Sequence, residues 1–157
     1  KRSIAGVRNS EGLMLIQGPL CAALRGRRFI MDDADLAHYR RFGPKRLDRW
    51  VKCGIHVAGR PDRVFIKLHC HGAEDRNREA LLGTDLDALF TDAESRYNDG
   101  QHYRLHYVSA REMFNIVKAT EEGVEGDINR LRNHLINPPP CRDKACINSK
   151  PQSGLSK

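Results

Sequence analysis

The chain has 157 residues and a formal net charge of +7, with 39% of its residues apolar and 30% charged. This length and composition predict one globular domain. No apolar run approaches the roughly 18 residues that a transmembrane helix needs, so the sequence predicts no membrane partner.

The first third of the chain carries all of the excess positive charge. Residues 1–52 hold 12 lysines and arginines against 5 aspartates and glutamates, whereas residues 53–157 hold 15 of each class. A concentrated basic face can bind an anionic polymer. Nucleic acid is not the expected polymer, because no nucleic-acid-binding motif and no interleaved aromatic residues accompany the charge. The candidate binding residues are Arg25, Arg27, Arg28, Arg40, Arg41, Lys45, Arg46 and Arg49.

Two short strands are predicted before residue 35. Residues 13–16 form a buried apolar run that stops at a Gly-Pro turn signal, and residues 27–31 form a second run. Asp32 and Asp33 follow it. Paired aspartates can hold a metal or act as acid and base, but at the start of a helical turn they more often accept hydrogen bonds from backbone amides. Asp33 is also a candidate substrate-binding residue.

A helix of about ten residues is predicted to begin at Pro44 and to stop at Gly54. Trp50 shares one face of this helix with apolar neighbours and is predicted to lie in the core. The next apolar run, residues 64–68, is rich in β-branched and aromatic residues and predicts a buried strand. It leads directly into the sequence His-Cys-His-Gly.

Further elements are predicted after these histidines. Thr84 is predicted to cap a helix, residues 103–108 to form a second strand, and Ser109 with Glu112 to form a capping box at the start of the next helix. Residues 121–135 are predicted to form the last helix.

The order of these elements predicts an α/β fold with parallel strands packed on helices. Residues 1–137 make up the predicted domain. Residues 138–157 are predicted to be a proline-rich turn and a disordered tail.

His69 and His71 are the strongest candidates for chemistry. Alternation along a strand places both on one side, and the carboxyl end of a parallel strand is where α/β sheets carry their active sites. Two imidazoles there can share a metal, or one can transfer a proton while the other orients it. The alternative is one structural histidine and one exposed on a loop. Gly72, which follows, is a candidate substrate-binding residue.

The segment from Gly59 to Ala73 contains Ile66-Lys67-Leu68-His69. These residues are similar to the late-strand motif of polysaccharide deacetylases, in particular of a deacetylase-like group found with bacterial exopolysaccharide genes. The resemblance spans about residues 12–120. The other matching stretches run from Leu15 to Leu20, from Arg96 to Gly100 and from Leu105 to Met113.

This resemblance implies the C-terminal half of a distorted (β/α) barrel in a hydrolase that removes an N-acetyl or related group from a sugar in surface-polysaccharide metabolism. In that family a divalent metal, commonly zinc, activates water, and the late-strand histidine, here His69, protonates the departing amine. The family's metal-binding His-x-x-x-His belongs to strands that precede the late-strand histidine, whereas the His-x-x-x-His of this chain, His102 to His106, follows His69. We therefore expect the zinc ligands in a missing N-terminal half and no activity from this polypeptide alone.

Two alternatives remain open. The His-x-His of residues 69–71 resembles the metal motif that ends the first strand of amidohydrolases, although His106 and His134 are poorly spaced as further ligands. The other alternative is a non-catalytic module that binds an anionic polymer through the basic face.

The five cysteines are an odd number and do not predict a disulfide framework in a chain of this length. A reducing compartment is the simpler interpretation, and the predicted location is cytoplasmic.

Overall fold

The computed structural model describes residues 2–7, 14–40, 42–72 and 74–136. The described residues form one two-stranded sheet and five α-helices. The strands are β1 (Cys21–Arg25) and β2 (Arg28–Asp32). The helices are α1 (Pro44–Cys53), α2 (Arg78–Leu82), α3 (Thr84–Tyr97), α4 (Ala110–Glu121) and α5 (Ile128–Leu131), and a 3-10 turn at Asp75–Asn77 precedes α2. The predicted tail, residues 138–157, lies outside the described residues.

β1 and β2 form an antiparallel hairpin in which Cys21 pairs with Asp32 and Leu24 pairs with Phe29. Strand β2 confirms the strand predicted at residues 27–31. The buried strand predicted at residues 13–16 is wrong. Leu15 is 87% exposed, and the described residues 14–16 form no sheet.

The predicted fold, an α/β arrangement of parallel strands forming half of a (β/α) barrel, is wrong. The sheet of the described residues is antiparallel and has two strands. Residues 64–68 and 103–108 form neither helix nor sheet, and they are not paired with each other as strands. In the part of the chain that the structure describes, parallel pairing is confined to isolated bridges, one of which joins Asp35 to His69.

Side chains of the preceding loop account for part of this difference. Asp99 accepts a hydrogen bond from the backbone N–H of Tyr103 at 2.8 Å, and Asn98 accepts one from Leu105 at 3.1 Å. These amides would otherwise be available to a neighbouring strand. An apolar run predicts extended backbone, but it does not specify where the backbone hydrogen bonds go.

Helices α1 and α4 begin where their sequence signals predicted. Pro44 opens α1, and Gly54 ends it with a φ of 56°, a left-handed conformation that favours glycine. In α4, Ser109 accepts the N–H of Glu112, and the Glu112 carboxylate accepts the N–H of Ser109, which confirms the capping box.

Two helix predictions need correction. Thr84 does not cap α3; the N-cap is Gly83, and no side chain caps that end. The long helix predicted over residues 121–135 is reduced to the four residues of α5. Gly123 and Gly126, both with positive φ, interrupt the segment between α4 and α5, and glycine favours such turns over helix.

The core has two parts. Trp50 and Leu47 of α1 pack with Leu89 and Ala93 of α3, which confirms the core position predicted for Trp50. A smaller cluster joins α4 to α5. A disulfide between Cys21 and Cys53 links the start of β1 to the end of α1. The hairpin is therefore fixed covalently to the first helix.

Candidate functional site

The backbone around Asp35 brings this residue beside His69. The N–H of Leu36 donates to the carbonyl of His69 at 2.8 Å, and the N–H of His69 donates to the carbonyl of Ala34 at 3.4 Å. Residues paired in this way along parallel segments direct their side chains to the same face. The carboxylate of Asp35 and the imidazole of His69 therefore lie on one side of the bridge.

The two candidate histidines lie close together. The ring centroids of His69 and His71 are 6.3 Å apart, and the ring planes are at 82° to each other. His69 is half-buried, whereas His71 is exposed. Cys70, between them, is an exposed free thiol. Both imidazoles are thus accessible to a ligand from solvent.

Asp35 supplies a buried carboxylate to this site. The residue is 2% exposed, and its Oδ2 accepts a hydrogen bond from the hydroxyl of Tyr39 at 2.7 Å. The hydrogen bond to Asp35 raises the pKa of Tyr39. The other oxygen, Oδ1, is buried and has no hydrogen-bond partner among the described residues. A buried polar atom without a partner is rare and marks a place where a donor would be stabilised.

Asn77 holds the loop that carries His71. Its amide nitrogen donates to the carbonyl of His71 at 3.1 Å, and its oxygen accepts the N–H of His38 at 3.0 Å. Asn77 is buried, so both polar groups of the side chain have partners within the protein. Sequence analysis did not single out this residue, since one asparagine in a loop gives no spacing signal.

The two residues predicted to bind substrate lie at the edges of this site. Asp33 is partly exposed and pairs with Arg40 at 2.8 Å. Gly72 lies on an exposed turn directly after His71, with open space around its Cα. Their role in binding stays a prediction.

The aspartate pair accepts backbone amides, as the sequence predicted. Asp32 accepts the N–H of Ala34 at 3.1 Å, and Asp33 accepts the N–H of Asp35 at 3.4 Å. These amides belong to a turn and not to a helix. The turn places Asp35 next to His69.

No metal site forms among the described residues. They contain no group of three or more His, Cys, Asp or Glu side chains arranged to hold an ion. The donor set near His69 and His71 therefore does not fit a zinc centre, which commonly needs at least three protein ligands. The amidohydrolase alternative gains no support, because His134 instead contacts Glu122 at 2.9 Å.

Three of the eight residues of the predicted basic face form ion pairs with aspartates. Arg46 and Arg49 donate to the carboxylate of Asp32, with the closest contacts at 2.9 and 3.0 Å. Arg40 pairs with Asp33. Arg46 is itself buried. These three guanidinium groups stabilise the turn around Asp32 and are poorly placed to bind a polymer.

An apolar groove lies between residues 64–68 and 103–109, with Leu47, Trp50 and Leu89 among its lining residues. His69 and His71 do not line it. Burial in this region lowers the pKa of His106. The groove and the candidate site are therefore separate features.

Comparison with protein-family models, curated proteins and solved structures finds no match for this chain. None of the helices in the described ranges is long and apolar enough to cross a membrane.

Proposed function

We propose that this chain carries the acid–base part of a hydrolase that acts on the N-acetyl or a related group of a sugar. The observation that carries the proposal is the placement of Asp35 and His69 on one side of their shared bridge. The sugar substrate and the surface-polysaccharide context rest on the resemblance to polysaccharide deacetylases through Ile66-Lys67-Leu68-His69.

His69 is the proton donor in this proposal. When the amide carbon–nitrogen bond of the substrate breaks, the departing nitrogen takes a proton from the imidazole. The buried carboxylate of Asp35, which lies on the same side of the bridge, is the acidic partner of this pair. His71 is a neighbour within reach of the same ligand, and we assign it no separate step.

The hydrolase also needs an activated water. In deacetylases a bound zinc supplies it, but the described residues do not fit a zinc site. We therefore propose that the zinc ligands belong to polypeptide outside the described residues and that this chain alone binds sugar without hydrolysing it.

The polymer-binding alternative has less support. It depends on a free basic face, whereas Arg40, Arg46 and Arg49 are held by aspartates.

The test is a titration of the chain with an N-acetylglucosamine oligomer, followed by NMR of the histidine side chains. We expect the imidazole signals of His69 and His71 to shift and those of His102, an exposed histidine on another loop, to stay constant. Asp35→Asn is expected to alter the His69 signals before sugar is added. Sugar-induced shifts at His102 alone, or at no histidine, would contradict the proposal.

Acetate release provides the second measurement. With added zinc, the chain alone is expected to release none. If it does release acetate, His69→Gln should lower the rate about 100-fold or more. An equal rate in that variant would remove His69 from the reaction.

A further inference from the structure

The β1–β2 hairpin has an apolar outer face. Alternation along the strands directs Cys21 and Asp32 toward α1 and directs the opposite set of side chains outward. Of that outer set, Leu24 is 70%, Phe29 73% and Met31 51% exposed. Antiparallel sheets with one solvated face normally carry polar residues there. This face is instead apolar, which is typical of an interaction surface.

The end of the same hairpin is positively charged. Arg27 lies in the turn, and Arg28 opens β2. In the described part of the chain, neither side chain forms an ion pair with an acidic residue. An anionic partner would pair with both guanidinium groups.

We propose that the hairpin binds the surface of an anionic lipid bilayer. Leu24, Phe29 and Met31 enter the boundary between headgroups and acyl chains, while Arg27 and Arg28 contact lipid phosphates. Long arginine side chains can reach the headgroups while the apolar face is inserted. Such binding needs no helix that crosses the membrane.

Charge complementarity favours this partner over the others. A polyanion such as heparin would pair with the arginines but would leave the aliphatic and aromatic side chains exposed to water. A second copy of the chain would cover the apolar face but would bring its own positive charge, since each copy carries a net charge of +7. An anionic bilayer satisfies both the apolar and the charged residues.

The experiment is flotation of the full chain with vesicles made of equal parts phosphatidylcholine and phosphatidylglycerol, and with vesicles of phosphatidylcholine alone. We expect binding to the anionic vesicles, weak binding to the neutral ones and release at high salt. The double variant R27Q/R28Q should lower the partition coefficient about 30-fold. The variant F29S should lower it roughly tenfold.

Matched controls separate the hairpin from general charge and hydrophobicity. R104Q/R111Q removes two exposed positive charges elsewhere, and L82S removes an exposed leucine of α2. Both should bind vesicles nearly as well as the unmodified chain. All substituted side chains are exposed, and circular dichroism should show unchanged helix content.

Three outcomes would overturn the proposal: no binding to anionic vesicles, equal losses in the control variants, or concentration-dependent dimerisation that F29S abolishes. The last outcome would assign the face to a second copy of the chain. None of these measurements depends on sugar binding or on His69.

Discussion

At the scale of single residues, Asp32 is the centre of the ionic network. Its carboxylate accepts hydrogen bonds from the side chains of Arg46, Arg49 and Trp50 and from the N–H of Ala34. Burial alone would raise the pKa of Asp32, but the hydrogen bonds from Arg46, Arg49 and Ala34 outweigh it and lower the pKa to about 2.

This depressed pKa makes stability depend on pH. A carboxyl with a lowered folded-state pKa stabilises the protein above its unfolded value, near 4, and loses that contribution as the pH falls through about 2. The shift corresponds to about 2 kcal/mol of unfolding free energy at neutral pH.

The variant Asp32→Asn should lower the free energy of unfolding by about 3 kcal/mol at pH 7, because it leaves the buried Arg46 without its anion. Urea titrations between pH 7 and pH 2 should show the difference from the unmodified chain shrinking toward acid. Asp33→Asn is the control, since Asp33 forms a partly exposed pair with Arg40, and it should cost about 0.5 kcal/mol. Equal losses in the two variants would contradict the assigned role of Asp32.

At the scale of elements, α4 depends on its capping box. The N–H of Glu112 donates to the Ser109 hydroxyl at 3.3 Å, and the N–H of Ser109 donates to the Glu112 carboxylate at 2.6 Å. Ser109→Ala should therefore destabilise the protein by about 1 kcal/mol, whereas Ser109→Thr should keep most of the stability, because threonine retains the accepting hydroxyl. Thermal unfolding followed by circular dichroism measures both. A threonine variant as unstable as the alanine variant would argue against a capping role.

At the scale of the whole molecule, the Cys21–Cys53 disulfide closes a long segment of chain. The two cysteines are 32 residues apart. Closing a loop of this size lowers the entropy of the unfolded chain, which raises the free energy of unfolding by about 3–4 kcal/mol. In urea titrations, the free energy of unfolding of the double variant C21S/C53S should be lower by about this amount. Reductant should lower the free energy of unfolding of the unmodified chain to the value of the variant. Reductant should have no further effect on the variant, while Cys70→Ser should change nothing. A cytoplasmic location stays a prediction, and there the bond would be open to reduction.

Local signals predicted the helices better than the overall fold. Pro44 and the Ser109–Glu112 box act within one helical turn, so their sequence determines where α1 and α4 begin. Extended runs such as residues 103–108 do not specify a partner, because pairing depends on segments far away in the chain. Arg46 shows the same limit. The sequence predicted it on a basic surface, but its side chain is buried and donates a hydrogen bond to Asp32, 14 residues earlier.

The candidate site could be predicted in part. His69 and His71 were found from their spacing, and the structure places their rings near each other. Asp35 and Asn77 were not found as site residues, because their positions depend on the turn after β2 and on the loop before α2. Local spacing reveals side chains on one segment, whereas a site built from three segments requires the fold.

Ala34 links the salt-bridge cluster around Asp32 to the backbone of His69 through its own N–H and carbonyl. It is a buried non-glycine residue with a φ of 63°, a conformation that is costly for any residue with a side chain. Its N–H is bound by Asp32, and its carbonyl receives the N–H of His69. Acidification that protonates Asp32 should therefore disturb the backbone of Ala34 and the position of His69 together, because both depend on the same residue.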